Sequence, residues 1–168
     1  MKNNTTRKLT IAGLSAALIT VFTLVQIPTG IAQGYINLGD LAIVACAFVL
    51  PEYWFCAAAA GIGSALADII SGFAIYAPAT FIIKAALGLL AVLAVKKLDG
   101  KRVLQMVLLL VVSLVVPVGY FLYECLLKYG VAVAFSDAIF NSAQAAIGTF
   151  VGGIFGNIVS GLIKTGRQ

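Results

Sequence analysis

The chain of 168 residues has no histidine, and only 10% of its residues are charged, against about 25% in soluble domains. Without histidine it lacks the commonest general base, the commonest metal ligand and most haem ligation. Cysteine is scarce as well. Cys46, Cys56 and Cys125 lie far apart in apolar runs, form no C-x-x-C, and are odd in number, so they read as small apolar packing residues rather than a disulfide set. There is no Gly-rich loop ending in Gly-Lys-Ser/Thr, so the chain has no means of its own to hydrolyse ATP. No nucleophile has a base nearby and no metal-ligating cluster is evident, so neither an enzyme nor a cofactor is expected. What is abundant is apolar: 62% hydrophobic residues and a mean hydropathy of +1.09. A water-soluble enzyme, a nucleic-acid-binding domain and a disordered linker are thereby excluded, and an integral membrane protein is indicated. The net charge of +5 sits in short clusters between apolar runs, the pattern of the positive-inside rule and not of a nucleic-acid surface.

A bilayer-spanning helix needs roughly 20 mostly apolar residues. The runs predict an all-α, single-domain bundle over residues 1–168 with six transmembrane helices. The first spans Lys8 to Ile27 and leads into a loop marked by Pro28, Gly30 and Gly34 that holds Gln33, Tyr35 and Asn37. The second, Leu38 to Leu50, is short and ends at Pro51 and Glu52, which leaves open a broken hairpin with the third, Tyr53 to Ile70. A loop over Ser71 to Pro78 precedes the fourth, Ala79 to Val95. The charged stretch Lys96 to Arg102 precedes the fifth, Val103 to Leu127, which contains Pro117. The sixth runs from near Ser136 to near Ile163. Strand alternation and internal repeats are not evident. The N-terminal basic stretch and apolar run resemble a signal peptide but are too long for one and read as a retained span. Lys2, Arg7, Lys8, Lys96, Lys97, Lys101, Arg102, Lys164 and Arg167 fall on one side, Lys128 alone on the other, and Lys84 within a span. Both termini are therefore expected in the cytoplasm, in a multi-pass cell-membrane protein.

Ionisable residues inside a span are costly in lipid and usually face the bundle interior. Lys84, one and a half turns into the fourth span, reads either as a lysine snorkelling to the outer surface or as a ligand or ion-pair residue. Glu124, with Tyr120 one turn before it, lies near the outer end of the fifth span, where a water-facing helix end is the plainer account. In the sixth span Asp137, Asn141, Gln144 and Gly148 fall at i, i+4, i+7 and i+11 on one face. Asn141 and Gln144 offer donors and acceptors suited to a heterocycle, or to helix–helix hydrogen bonds. Asp137, in the first turn after Ser136, could serve only the helix dipole. In the third span Gly61, Ser64, Asp68 and Ser71 share a face, and Asp68 is placed to pair with Lys84. These groups gather toward the outer end and suggest an outward-facing pocket. Tyr35, Tyr76 and Tyr120 could stack on a flat ring there, or serve as interfacial belt residues. Two further rows of small residues stand out. Ala12 with Ala16, and Gly13 with Ala17, are four apart in the first span and permit close helix approach, inside the bundle or to another membrane subunit. Gly148, Gly152 and Gly156 in the sixth read as internal packing.

The chain resembles the substrate-binding S-components of energy-coupling factor (ECF) vitamin transporters. The likeness rests on small size, six spans, both ends inside and the small-residue row in span one. Three stretches resemble the riboflavin-type S-component family: Gly34-Tyr-Ile-Asn-Leu-Gly-Asp40, Leu66-Ala-Asp-Ile-Ile-Ser-Gly72 and Lys84-Ala-Ala-Leu-Gly88. The resemblance implies a subunit of an ABC-type importer in a bacterial plasma membrane. It would bind a water-soluble vitamin or precursor from outside and deliver it with a membrane T-component and two ATPases. It implies docking of the T-component on Ala12 and Ala16, with Gly13 and Ala17 as a rival register. It selects Lys84, Tyr120, Glu124, Asn141 and Gln144 as substrate-binding, with Asn37 and Tyr35 from the first loop and Asp68 beside them. The mixed amide, carboxyl and amine chemistry points first to pyridoxine or a related pyridine, then to hydroxymethylpyrimidine, then to riboflavin. Two other classes compete. A self-sufficient proton-coupled transporter would want a carboxylate at mid-membrane, whereas Asp40, Asp68, Glu124 and Asp137 all fall near helix ends. A membrane enzyme would want the catalytic groups already noted as missing.

Overall fold

A computed structural model describes residues 2–28, 35–50, 52–127 and 130–165. Gly30, Gln33, Gly34, Pro51, Lys128 and Arg167, which carried expectations above, lie outside the described residues. The helices are α1 (Lys2–Leu24), α2 (Gly39–Ala47), α3 (Tyr53–Ile70), α4 (Ala77–Lys97), α5 (Arg102–Ser113), α6 (Val115–Leu126) and α7 (Val131–Thr165). Between α1 and α2, where only a loop is expected, β1 (Gln26–Pro28) pairs antiparallel with β2 (Tyr35–Asn37), with Ile27 opposite Ile36. Strands of three residues are too short to show alternation, which is why they leave no mark in the sequence.

Among the described residues, five helices are long and apolar enough to cross a membrane: Thr5–Leu24, Tyr53–Ile70, Ala77–Lys97, Arg102–Leu126 (α5 and α6 together) and Val131–Ile163. The expected second span is the exception. With nine residues α2 is about 14 Å long, less than half a hydrocarbon core of about 30 Å. It is nonetheless the centre of the bundle, with seven residues buried and contacts to α1, α3, α4 and α7. Its return direction follows from its neighbours. Lys8, early in α1, pairs with Glu52 at the start of α3, and Gln26 beyond α1 donates to Ser71 Oγ beyond α3 at 3.0 Å. The two helices therefore run parallel, and the chain comes back between them through the hairpin, α2 and its following turn.

Local sequence explains the breaks. The α3 helix stops in a Schellman turn: Gly72 at φ +85° lets the Phe73 amide reach the Asp68 carbonyl at 2.8 Å and its own amide reach the Ile69 carbonyl. Pro78 opens the first turn of α4, and Lys96 and Lys97 complement the dipole at its end. The expected fifth span is broken at Leu114, because Pro117 has no amide for the Ser113 carbonyl four residues earlier. The long helix α7 begins at Val131, five residues before the expected start. A β-carbon on its Gly148 would sit 3.0 Å from Asp40 Cβ, and one on Gly152 would sit 2.5 Å from the Leu41 carbonyl oxygen. The bare backbone of α7 is what lets α2 lie against it, and Gly156 continues the row beneath Phe48.

Thermal unfolding in detergent should separate two glycines of α7. Gly152→Ala forces α2 and α7 apart and should lower stability by about 1–3 kcal/mol. Gly161→Ala, whose added carbon meets nothing within 4 Å, should leave the melting temperature unchanged or raise it.

Candidate functional site

The close contact of α2 with α7 builds one wall of a site. Strand β2 delivers Asn37, whose Oδ1 accepts the Gly39 amide at 2.8 Å and so turns the chain into α2. The Asn37 amide donates to Gln144 Oε1 of α7 at 2.8 Å. Gln144 Nε2 in turn donates to Asp40 Oδ2 at 2.8 Å, and Lys84 Nζ of α4 donates to Asp40 Oδ1 at 2.5 Å. Asp40 is 0% and Lys84 1% exposed, so this ion pair is shielded from solvent, and both oxygens of Asp40 are hydrogen-bonded. Such a pair specifies one packing arrangement: either charge alone in that place would be very costly. Lys84 Nζ also lies 5.5 Å from the centroid of the Tyr120 ring, and Tyr120 and Thr80 share a hydroxyl–hydroxyl bond of 2.9 Å.

Beside this wall opens a small cavity. It is lined by Tyr35, Asn37, Tyr76, Thr80, Tyr120, Glu124, Asp137, Asn141 and Gln144, from β2, α4, α6, α7 and the turn before α4. It lies at the end of the bundle opposite Lys8, Lys96, Lys97 and Arg102. Rings and hydroxyls fix its outer parts. The Tyr35 hydroxyl donates to Asp68 and its ring meets Phe73 at 4.8 Å, while Tyr76 packs edge-on against Tyr123, whose hydroxyl donates to the Ile75 carbonyl. Burial, and next the Asp68 carboxyl, push the Tyr35 phenol well above its usual range, so it stays a proton donor. Amides, hydroxyls and aromatic faces around a concave space are the ordinary makings of a small-molecule site.

Of the residues expected to bind substrate, Tyr35, Asn37, Tyr120, Glu124, Asn141 and Gln144 line this cavity together. Lys84 and Asp68 do not. Lys84 is held behind the lining in an ion pair, its partner being Asp40 and not Asp68, and it does not snorkel to a surface. Asp68, 1% exposed, takes the Tyr35 hydroxyl instead. Glu124 is no water-facing helix end: it is 0% exposed. Asp137 is no dipole residue either, because α7 starts six residues earlier and Ser136 bonds back to the Ala132 carbonyl rather than capping a helix. Asp40, Thr80 and Asp137 were not singled out as site residues. The available signal for Asp40 was stoichiometric: a lysine deep in an apolar run needs an acid, and few acids exist. In α1, Ala12 and Ala16 are half-buried against the core, whereas Gly13 and Ala17 are exposed.

Removing one partner of the buried pair should be far worse than removing both charges. Lys84→Met should destabilise the protein by about 3–5 kcal/mol, and adding Asp40→Asn should restore a large part of that loss. A double variant that loses the sum of the two single-variant losses would show that the pair is not coupled.

Two comparisons with known proteins bear on the chain. Residues 3–161 match a family described as ECF-type riboflavin transporter, S component. A protein of Pyrococcus woesei, described as "Uncharacterized protein in gap 3'region", is 36% identical over 144 residues, covering 84% of this chain and 93% of that one. With nearly its whole length matched, and with long apolar helices around a cavity lined by tyrosines, amides and carboxyls, the chain belongs to the family of ECF-type riboflavin transporter S components.

Proposed function

We propose that this chain is the substrate-specific membrane subunit of an ECF-type importer and that the cavity beside Gln144 is its substrate site. The observation that carries the reading is that a family of transporter subunits is joined, in this chain, to a polar cavity at the end of the bundle away from the basic residues. The chain crosses the bacterial plasma membrane six times, with α2 as a half-length crossing wrapped by the other helices. Both termini lie in the cytoplasm with Lys8, Lys96, Lys97, Lys101 and Arg102, and the cavity opens outward.

The ligand is a small water-soluble vitamin or precursor: a flat nitrogen heterocycle with hydroxyl groups. Tyr35, Tyr76 and Tyr120 supply ring faces, and Asn37, Thr80, Asn141 and Gln144 supply donors and acceptors. A pyridoxine-type ring comes first and hydroxymethylpyrimidine second. Riboflavin, named in the family's description, comes third, because a tricyclic ring asks for more apolar lining. Energy comes from a membrane T-component and two ATPases. The T-component docks on the outward row of α1, Gly13 and Ala17, since Ala12 and Ala16 are already engaged with the core.

The test is uptake by cells lacking their own vitamin transport. The chain should support uptake of a vitamin only when co-expressed with a T-component and both ATPases. Gly13→Trp should abolish copurification of the T-component while leaving ligand binding by the isolated chain intact. Uptake by the chain alone would favour a self-sufficient, proton-coupled transporter instead.

A further inference from the structure

Among the described residues, this cavity is lined by two carboxyls and by no basic group. Glu124 of α6 is 0% exposed and Asp137 of α7 is 5% exposed, and the two carboxyls lie against each other across the helix interface. Neither oxygen of Glu124 has a donor at strict bonding geometry among the described residues, and the Tyr76 hydroxyl beside it is a single neutral donor for two oxygens. None of the nine lining residues is basic. The buried lysine of this end, Lys84, is already committed to Asp40. A buried carboxylate without a partner is among the costliest groups a protein can carry, and a second one beside it repels it. Even one proton shared between the two leaves more acceptors than donors. Gln144 does not repair this, since it spends its amide on Asp40.

We infer that the ligand presents an exocyclic amino or ammonium group, as an amine or an aminopyrimidine carries, to Glu124 and Asp137. This rests on the cavity being the substrate site, and it narrows the substrate class: a cation satisfies both carboxyls through charge-assisted hydrogen bonds. A neutral ligand that turns carbonyl oxygens toward this wall would set acceptor against acceptor. The cavity thus selects by charge at one wall and by ring shape and hydroxyl pattern at the others.

Calorimetric titration of the purified full-length chain in detergent tests this. The probes are pyridoxamine, pyridoxine, 4-amino-5-hydroxymethyl-2-methylpyrimidine and riboflavin. Pyridoxamine and pyridoxine share one ring and differ by an ammonium in place of a hydroxyl, so their ratio reads the charged wall without any mutation. The amine-bearing probes, or one of them, should bind at least about tenfold tighter than pyridoxine and riboflavin. Glu124→Gln and Asp137→Asn should each erase most of that preference. Tight binding of riboflavin or pyridoxine with no advantage for either amine, or a preference unchanged in both variants, overturns the inference and leaves the subunit reading standing. Failure of all four probes to bind the unmodified chain overturns both.

Discussion

The arrangement depends on a lysine that cannot reach water. Lys84 sits within α4, 1% exposed, in a chain with very few acids to offer it. Asp40 neutralises it, and that requirement fixes where the short helix α2 must lie. Gln144 then ties the same carboxylate to α7 and, through the Asn37 amide, to the β-hairpin. Four separate segments are thereby held in one register. Apolar packing alone would not choose it, because lipid tails are as apolar as the helices and give little direction to their association. A buried ion pair is a poor source of net stability, but a slip of register here would leave a bare charge inside.

The cavity inherits its shape from that anchor. Gln144 is at once a lining residue and the bridge to Asp40, and Tyr120 is at once a lining residue and a neighbour of the Lys84 ammonium. The rigid groups therefore stand directly behind the groups that face a ligand, which limits rearrangement on binding. The glycine row of α7 has the same purpose in steric terms. With Gly148 and Gly152 bare, α2 comes close enough for Gln144 to reach Asp40. The break at Leu114, ahead of Pro117, separates α5 from α6, the segment that carries Tyr120 and Glu124.

Much of this was legible in the residues, for reasons that differ by element. The long spans were readable because composition in a bilayer leaves few choices: α3 begins and ends at the expected Tyr53 and Ile70. The i, i+4, i+7 face of Asp137, Asn141 and Gln144 was readable because a helix fixes its own angular spacing. What was not legible depended on contacts distant in sequence. Asp40 and Asp68 are equally plausible partners for Lys84 until the position of α2 is known. The β-hairpin was hidden because strands of three residues carry no period. The start of α7 was hidden because Val131 to Phe135 lacks a cap signal, which also misplaced Asp137 in a first turn.

The central claim is that the cavity walled by Gln144 and Asn141 holds a small molecule. Native mass spectrometry of the purified chain, after incubation with a mixture of water-soluble vitamins and their precursors, reads it most directly. The account predicts one retained molecule per chain, of vitamin or precursor mass, that is lost when Asn141→Ala is treated in the same way and remains folded. A chain that stays empty, or an Asn141→Ala variant that retains the same molecule equally well, would contradict it.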